Sequence, residues 1–448
     1  MKIINKILNY NLIFIILYRL ALDWNYFYII CPRHGITFIN NRTSPGLLLS
    51  WVVLIASYIL FKKSIIDKSE SLSSIIIYSL YLISFVPFTT CIYSGMATRG
   101  FIIYNILYWS TLFFFWLISS MTVRKCNLRF NMGVISKKTL FIIICFIAVC
   151  LIIYVSGKYA HFRIITNLLK VYDIRAEASS YDYSTLIAYL LSWTVAINPL
   201  ILGVCFIRKK WSLMVASFII QMLSFGIDGR KSTFFMPFLV VGLLMIYKSN
   251  DVRQLKNLIT SGVSLLTVFG AAEYKLLHTS YISDFGIRRV MFVPNQLGKY
   301  YYDFFTSNVP DYFRSSFLRH FGFKSPYQMG NLRGFTYIIA DKYFGKDMNV
   351  NNGLASDGLA NIGLAGCFVM PILLIIVLKL LDKSSEKLDK RLLIVVAIYV
   401  SYNLLSTTLM TCLLTHGLLM MMLILPLIEN NDKKKVRNIE YYGQEEVT

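Results

Sequence analysis

Four stretches of this chain carry residues whose types and spacing could do chemistry. All four suit the handling of an anion and a hydroxyl. The sharpest is SFGIDGRKSTFF, from Ser224 to Phe235. Its apolar flanks predict a tight turn with Asp228 and Gly229 at the apex and Arg230, Lys231 and Ser232 entering the next helix. The first N–H groups of a helix lack intrahelical partners and sit at the positive end of its dipole, so anions bind there; two adjacent cations would suit a diphosphate. The spacing is not that of a GxxxxGK[ST] nucleotide loop. A plainer reading makes Asp228 a helix cap and the cations interfacial side chains.

The second stretch, VYDIRAEASSYDYSTL, places Arg175, Glu177, Tyr181 and Asp182 just ahead of an apolar run. An Arg fork grips phosphate bidentately, and a nearby carboxylate can orient it or accept a proton. An ion pair inside the loop plus a helix cap is the alternative. The third, ISDFGIRRVMFVPNQLGKYYYDFF, holds adjacent Arg288 and Arg289, then Tyr301, Tyr302 and Asp303. Aromatic faces stack on the apolar face of a sugar, and Asp303 is a candidate general base; an amphipathic helix lying in the membrane interface would show the same pattern. The fourth, NVNNGLASDGLANIGLAG, offers Asn352 and Asp357 among glycines that suggest close helix packing. A carboxylate at a span's edge, such as Asp357, is costly unless paired.

The elements that must position these residues are membrane helices. With 448 residues, 56% hydrophobic, 15% charged and mean hydropathy +0.59, the chain is too apolar for a soluble protein of this size. Its net charge of +22 would suggest nucleic acid in a soluble chain, but here the positive-inside rule explains most of it. The eight cysteines form no CxxC and the five histidines no HxxxH or HExxH. That argues against a metal site or a disulfide framework. Hydrocarbon thickness asks for about 17–25 residues per helix. By that ruler, spans are expected near Leu8–Ile30, Gly46–Phe61, Leu72–Ile92, Phe101–Met121, Thr139–Ser156, Tyr183–Ile207, Trp211–Gly226, Ser232–Tyr247, Leu258–His278, Gly358–Leu380, Leu392–Leu409 and Met410–Ile428.

The expected organisation is all-α. Residues 1–278 carry the first nine spans, with 157–182 and 227–231 as functional outer loops. A large, partly helical loop follows at 279–356, then three more spans in 357–428 and a tail at 429–448. Alternate connections are rich in Lys and Arg, which puts them and both termini in the cytoplasm. Topology gives no reason for Arg175, Arg230, Lys231, Arg288, Arg289, Arg314, Arg319 and Arg333, all on the opposite side. From Tyr281 to Ser356 the large loop holds nine Lys or Arg, five Asp and eighteen Phe or Tyr. Such a surface suits a ligand with both phosphate and sugar.

Taken together, the loop Arg175, the turn Gly229–Arg230 heading a helix, the pair Arg288–Arg289, the Asp357–Gly358 to Gly363 entry into a late span and the span count resemble the Wzy-type O-antigen polymerases. The resemblance implies a GT-C-like glycosyltransferase of the bacterial inner membrane. It would join undecaprenyl-diphosphate-linked oligosaccharide repeat units at the periplasmic face, in contact with membrane lipids and with a separate chain-length co-polymerase as a partner. No cofactor, metal or nucleic acid is expected. Diphosphate is already a good leaving group, so arginines can hold its charge while one carboxylate deprotonates the acceptor hydroxyl. On this reading Arg175, Arg230, Lys231, Arg288 and Arg289 bind the diphosphate. Glu177, Asp228, Asp303 or Asp357 is the base, and Tyr301, Tyr302 and Asn352 meet the glycan. An O-antigen ligase, or a flippase or other transporter of lipid-linked oligosaccharide, would share much of this pattern. A transporter, however, should keep its outer loops short and its charges within the bilayer.

Overall fold

The structure, a computed structural model, describes residues 11–35, 37–122, 136–165, 171–328 and 334–428. Arg333, the connection 123–135 and the tail from 429 lie outside the described residues. Among the described residues all regular structure is helical, and nine helices are long and apolar enough to cross a membrane. These correspond to the expected spans one to seven, nine and ten. The other three are shorter. Lys231–Ile246 has 16 residues and Leu393–Ser406 has 14, while the expected last span divides into Leu409–Leu414 and Leu418–Ile424. The division falls at Gly417, whose φ of +70° is a conformation glycine adopts without strain. The carbonyl of Leu414 that the break frees accepts a hydrogen bond from the Trp193 indole at 2.5 Å, which answers the need for every backbone group in a bilayer to find a partner.

The chain forms two compact units. One comprises Met1–Cys126, Asp251–Lys379 and Val400–Cys412; the other Asn127–Asn250, Leu380–Tyr399 and Leu413–Thr448.

In the first unit, polar side chains inside the spans are satisfied by one another. Asn11 donates to Asn257 and Thr260 at 2.9 and 3.0 Å, and Asn25 to the Thr267 carbonyl at 2.9 Å, which joins Asn11–Asn25 to Val252–Leu277. Arg19 is fully buried, paired with Asp23 one turn on and hydrogen-bonded to Thr89 at 2.8 Å and Ser50 at 3.1 Å. Lys256 donates to the carbonyls of Ile65 and Ser69 just beyond the helix Ser44–Phe61.

The interval expected to be a large, partly helical loop opens with a continuous helix. Ile282–Phe292 has π geometry and runs directly into Val293–Phe305. This helix is packed among the spans: Asn295 donates to the Ser84 carbonyl in the middle of Leu72–Tyr93, and Tyr18 donates to Met291. Its charges had hidden it from a hydropathy ruler. They are paired one turn apart, Lys299 with Asp303 at 2.6 Å and Arg288 with Asp284 at 3.8 Å, as i,i+4 neighbours on a helix can be. Many of the aromatic residues form a small core with the helix Phe335–Phe344. Tyr301, Phe304, Phe305, Tyr327 and Phe335 are buried edge to edge, and Tyr300 stacks on Tyr343 at 4.5 Å.

In the second unit, Lys137–Ala160, Thr185–Ile207, Trp211–Asp228 and Lys231–Ile246 pack together. A buried amide network fixes three of them. Asn198 donates to Gln221 at 2.7 Å, Ser217 donates to Asn198 at 2.8 Å, and Gln221 donates to the Thr233 carbonyl at 3.2 Å. The last bond holds the first turn of Lys231–Ile246 against the helix before it, and so sets the turn between them.

Candidate functional site

That turn is built by its own residues. Gly229 ends Trp211–Asp228 in the left-handed conformation, φ +63°, with its N–H on the Phe225 carbonyl at 2.9 Å, the usual way a helix stops at glycine. Asp228 accepts the Arg230 backbone N–H at 3.0 Å through one oxygen and pairs with the Arg230 guanidinium at 3.0 Å through the other. Asp228 therefore closes the turn, as Asp side chains do, and does not cap the following helix. Arg230 is the residue ahead of that helix, and its own side chain makes no capping hydrogen bond there. The Arg230 side chain is 43% exposed.

A short helix, Val171–Ala178, lies against this turn. Val171 and Ile174 are buried with Ile165 and Phe225. Gly229 permits the contact, because a Cβ there would lie 3.1 Å from the Val171 carbonyl oxygen and 3.3 Å from Ile174. Arg175 donates to the Gly229 carbonyl at 3.2 Å. The structure thus joins the two strongest sequence motifs and places Arg175, Asp228, Arg230 and Lys231 at one end of this unit.

Glu177, on the same short helix, is 46% exposed and held by two donors, Arg163 at 2.6 Å and the Tyr181 hydroxyl at 2.8 Å. The Arg163 hydrogen bond, followed by that of Tyr181, keeps the Glu177 carboxyl below its ordinary range. A lowered folded-state value means that the stabilisation is complete above the ordinary glutamate pKa, about 4.3, and is lost as the pH falls through the lowered one. Hydrogen-exchange protection at 171–178, each rate divided by the intrinsic rate at that pH, should therefore stay constant from neutral pH down to about pH 5 and fall only in stronger acid. Loosening that began near neutrality would contradict this electrostatic account.

Sequence reasoning missed Arg163. It donates to the Gly226 carbonyl at 3.2 and 3.1 Å through two nitrogens, to Glu177, and to Tyr181 at 3.1 Å, so it ties Trp211–Asp228 to the carboxylate. Gly226 is required here, since a Cβ would collide with the Arg163 carbonyl oxygen. The signal was available: Arg163 is another cation in the 157–182 loop without a topological reason. Also missed were Tyr159 and Tyr183, partly buried rings 5.3 and 6.4 Å from that of Tyr181. His416, at the break before Leu418–Ile424, lies within electrostatic reach of Arg230.

The remaining sequence candidates belong to the first unit, and most are engaged in packing. Tyr301 is 1% exposed and donates to the Val350 carbonyl at 3.0 Å. Asn352, 5% exposed, donates to the Pro294 carbonyl and to Ser356, both at 2.8 Å. Tyr302 packs on Phe101 and Tyr104, its hydroxyl against Gly100. The expectation that these three meet a glycan is corrected for Tyr301 and Asn352, because burial and satisfied hydrogen bonds leave them no face for a sugar. Asp303 is paired with Lys299. Arg288 and Arg289 diverge: Arg288 is directed to Asp284, which also accepts from His34 at 2.9 Å and pairs with Arg33, while Arg289 is exposed beside Phe285.

Asp357 is 1% exposed, accepting the Leu409 N–H and the Asn361 amide, each at 2.7 Å. This geometry explains how a carboxylate is tolerated at the span's edge and gives it no access to an acceptor. Asp357→Asn should destabilise the protein by about 1–3 kcal/mol, since it turns one acceptor oxygen into a donor facing other donors. The rate per folded molecule should not change; thermal unfolding measured beside activity checks both. Among the described residues no group of three or more His, Cys, Asp or Glu is placed to hold a metal ion.

Comparison with known protein families, characterised proteins and solved structures yields no match to this chain.

Proposed function

We propose that the protein is a glycosyltransferase that polymerises undecaprenyl-diphosphate-linked oligosaccharide repeat units into a surface polysaccharide, such as O-antigen, at the periplasmic face of the bacterial inner membrane. The observation that carries this reading is the docking of Val171–Ala178 on the Asp228–Lys231 turn. It puts Arg175, Arg230 and Lys231 beside a helix N-terminus, with a carboxylate nearby. Two arginines at the positive end of a helix suit a diphosphate leaving group. In this mechanism Arg175 and Arg230 hold the charge that develops as the glycosyl–oxygen bond breaks. Glu177 takes the proton of the acceptor hydroxyl, positioned by Arg163 and Tyr181. Its low basicity suits a role late in bond formation, when the hydroxyl has become acidic. Asp228 shapes the turn. Tyr159, Tyr181 and Tyr183 offer ring faces for sugars, the role the sequence suggested for Tyr301 and Tyr302. Both termini lie in the cytoplasm in this scheme, and chain length is set with a co-polymerase partner.

The test is direct. Purified full-length protein, given lipid-linked repeat unit in the presence of EDTA, should produce a ladder of lipid-linked oligomers. Elongation only onto a lipid A core acceptor, or transbilayer movement without new bonds, would replace this reading with a ligase or a flippase.

A further inference from the structure

We infer that a groove between Asn11–His34 and Val252–Leu277 binds one acyl chain of an anionic glycerophospholipid, whose phosphate sits at Lys275 and His278. The groove encloses about 610 Å³. Small residues form its floor, Ala21 on one helix and Ala271 and Ala272 on the other, so the two helices leave a furrow instead of closing. Leu17 and Val268 add apolar side chains to its lining, and elsewhere on the same two helices Leu20, Phe269 and Leu276 are exposed on the surface, where the side chains of a membrane-spanning pair face lipid rather than water. The occupant is therefore drawn from the bilayer. From Val268 to His278 the helix rises about 15 Å, half of the roughly 30 Å hydrocarbon core. That length matches the chain of a lipid in one leaflet and is too short for a long isoprenoid.

The headgroup is specified at one end. Trp24 lines the groove and meets Tyr274 edge to face at 6.3 Å, marking the level at which aromatic residues sit beside lipid headgroups. Lys275 and His278 line the groove at that same end and are exposed. Neither has an ion-pair partner among the described residues. The nearest acid in sequence, Glu273, is already engaged, accepting hydrogen bonds from Thr279, Tyr281 and Ile282 at 2.7–2.8 Å. A cation at the mouth of an apolar furrow, with no internal counterion, is complementary to a phosphate carrying net negative charge. This inference goes beyond the polymerase reading and does not depend on it.

The experiment uses full-length protein in phosphatidylcholine nanodiscs and follows quenching of Trp24 by phosphatidylglycerol with brominated chains; Trp24→Phe protein supplies the blank. Quenching should saturate at low phosphatidylglycerol content. Brominated phosphatidylcholine should bind roughly fivefold more weakly, as expected for one basic residue at the membrane surface. Lys275→Gln, an exposed change compatible with folding, should bring phosphatidylglycerol down to the phosphatidylcholine level. Ala272→Leu should reduce quenching by both lipids, because it fills the furrow. Equal quenching by the two lipids in the unaltered protein, or no change in Lys275→Gln, would overturn the inference. Displacement of the brominated lipid by undecaprenyl phosphate would also overturn it and assign the groove to the isoprenoid.

Discussion

Arg230→Ala should lower the rate of polymerisation by about 10²–10³-fold, the usual loss when one donor that stabilises developing negative charge is removed. The side chain is well placed for a clean result. It is nearly half exposed, and the turn it belongs to is closed through the Arg230 backbone N–H on Asp228 and the left-handed Gly229, neither of which the substitution removes. Arg175, whose field reaches Asp228, remains to offset that carboxylate. Thermal unfolding should therefore shift little while activity falls. Arg230→Lys should retain part of the activity, since it keeps the charge and loses the planar fork that matches phosphate oxygens. Initial rates of ladder formation, normalised to folded protein, decide the matter. An undiminished rate in Arg230→Ala would remove this residue from the chemistry.

The largest effect on stability is expected far from that turn. Arg19→Leu should cost about 3–5 kcal/mol, because it leaves Asp23 without its partner inside the helix bundle and strips Thr89 and Ser50 of a donor. Desolvating two charges is expensive, and their attraction repays it only while both are present. The double change Arg19→Leu with Asp23→Leu should accordingly recover much of the loss, as replacing a whole buried pair by apolar side chains often does. Thermal or denaturant unfolding in detergent gives the comparison. A double variant as unstable as the single one would show that the hydrogen bonds of Arg19 to Ser50 and Thr89, and its packing on Trp51, matter more than the ion pair.

Much of the architecture was legible because hydropathy and loop charge act locally. Nine spans are recovered, and the break at Gly417 falls where Thr415, His416 and Gly417 interrupt the apolar run. A helix within 279–356 was legible, but the packing of Ile282–Phe305 among the spans was not. A linear scale counts Arg288, Arg289, Lys299 and Asp303 as costs, whereas partners one turn away on the helix offset two of those cations. The same limit explains Tyr301 and Asn352: an aromatic or amide residue in an interval read as a loop suggests a ligand, but buried partners such as Val350 and Pro294 are known only from the fold. At the candidate site the residue types in the turn were informative, since Gly229 marks the end of one helix and Arg230 the start of the next. What could not be read was the seating of Val171–Ala178 on that turn, which rests on buried contacts of Val171 and Ile174 with Phe225, or the hold of Arg163 on Glu177. Both join residues more than ten positions apart in the sequence.

The central claim is that this chain transfers a glycan off a lipid diphosphate using the arginines at the Asp228–Lys231 turn. The most direct measurement counts free undecaprenyl diphosphate released per glycosidic linkage formed, with unaltered protein and with the Arg175→Ala, Arg230→Ala double variant. The account predicts one diphosphate per linkage in the unaltered protein and neither product above background in the folded double variant. Linkages formed at the unaltered rate by that variant, or no diphosphate release by the unaltered protein, would contradict it.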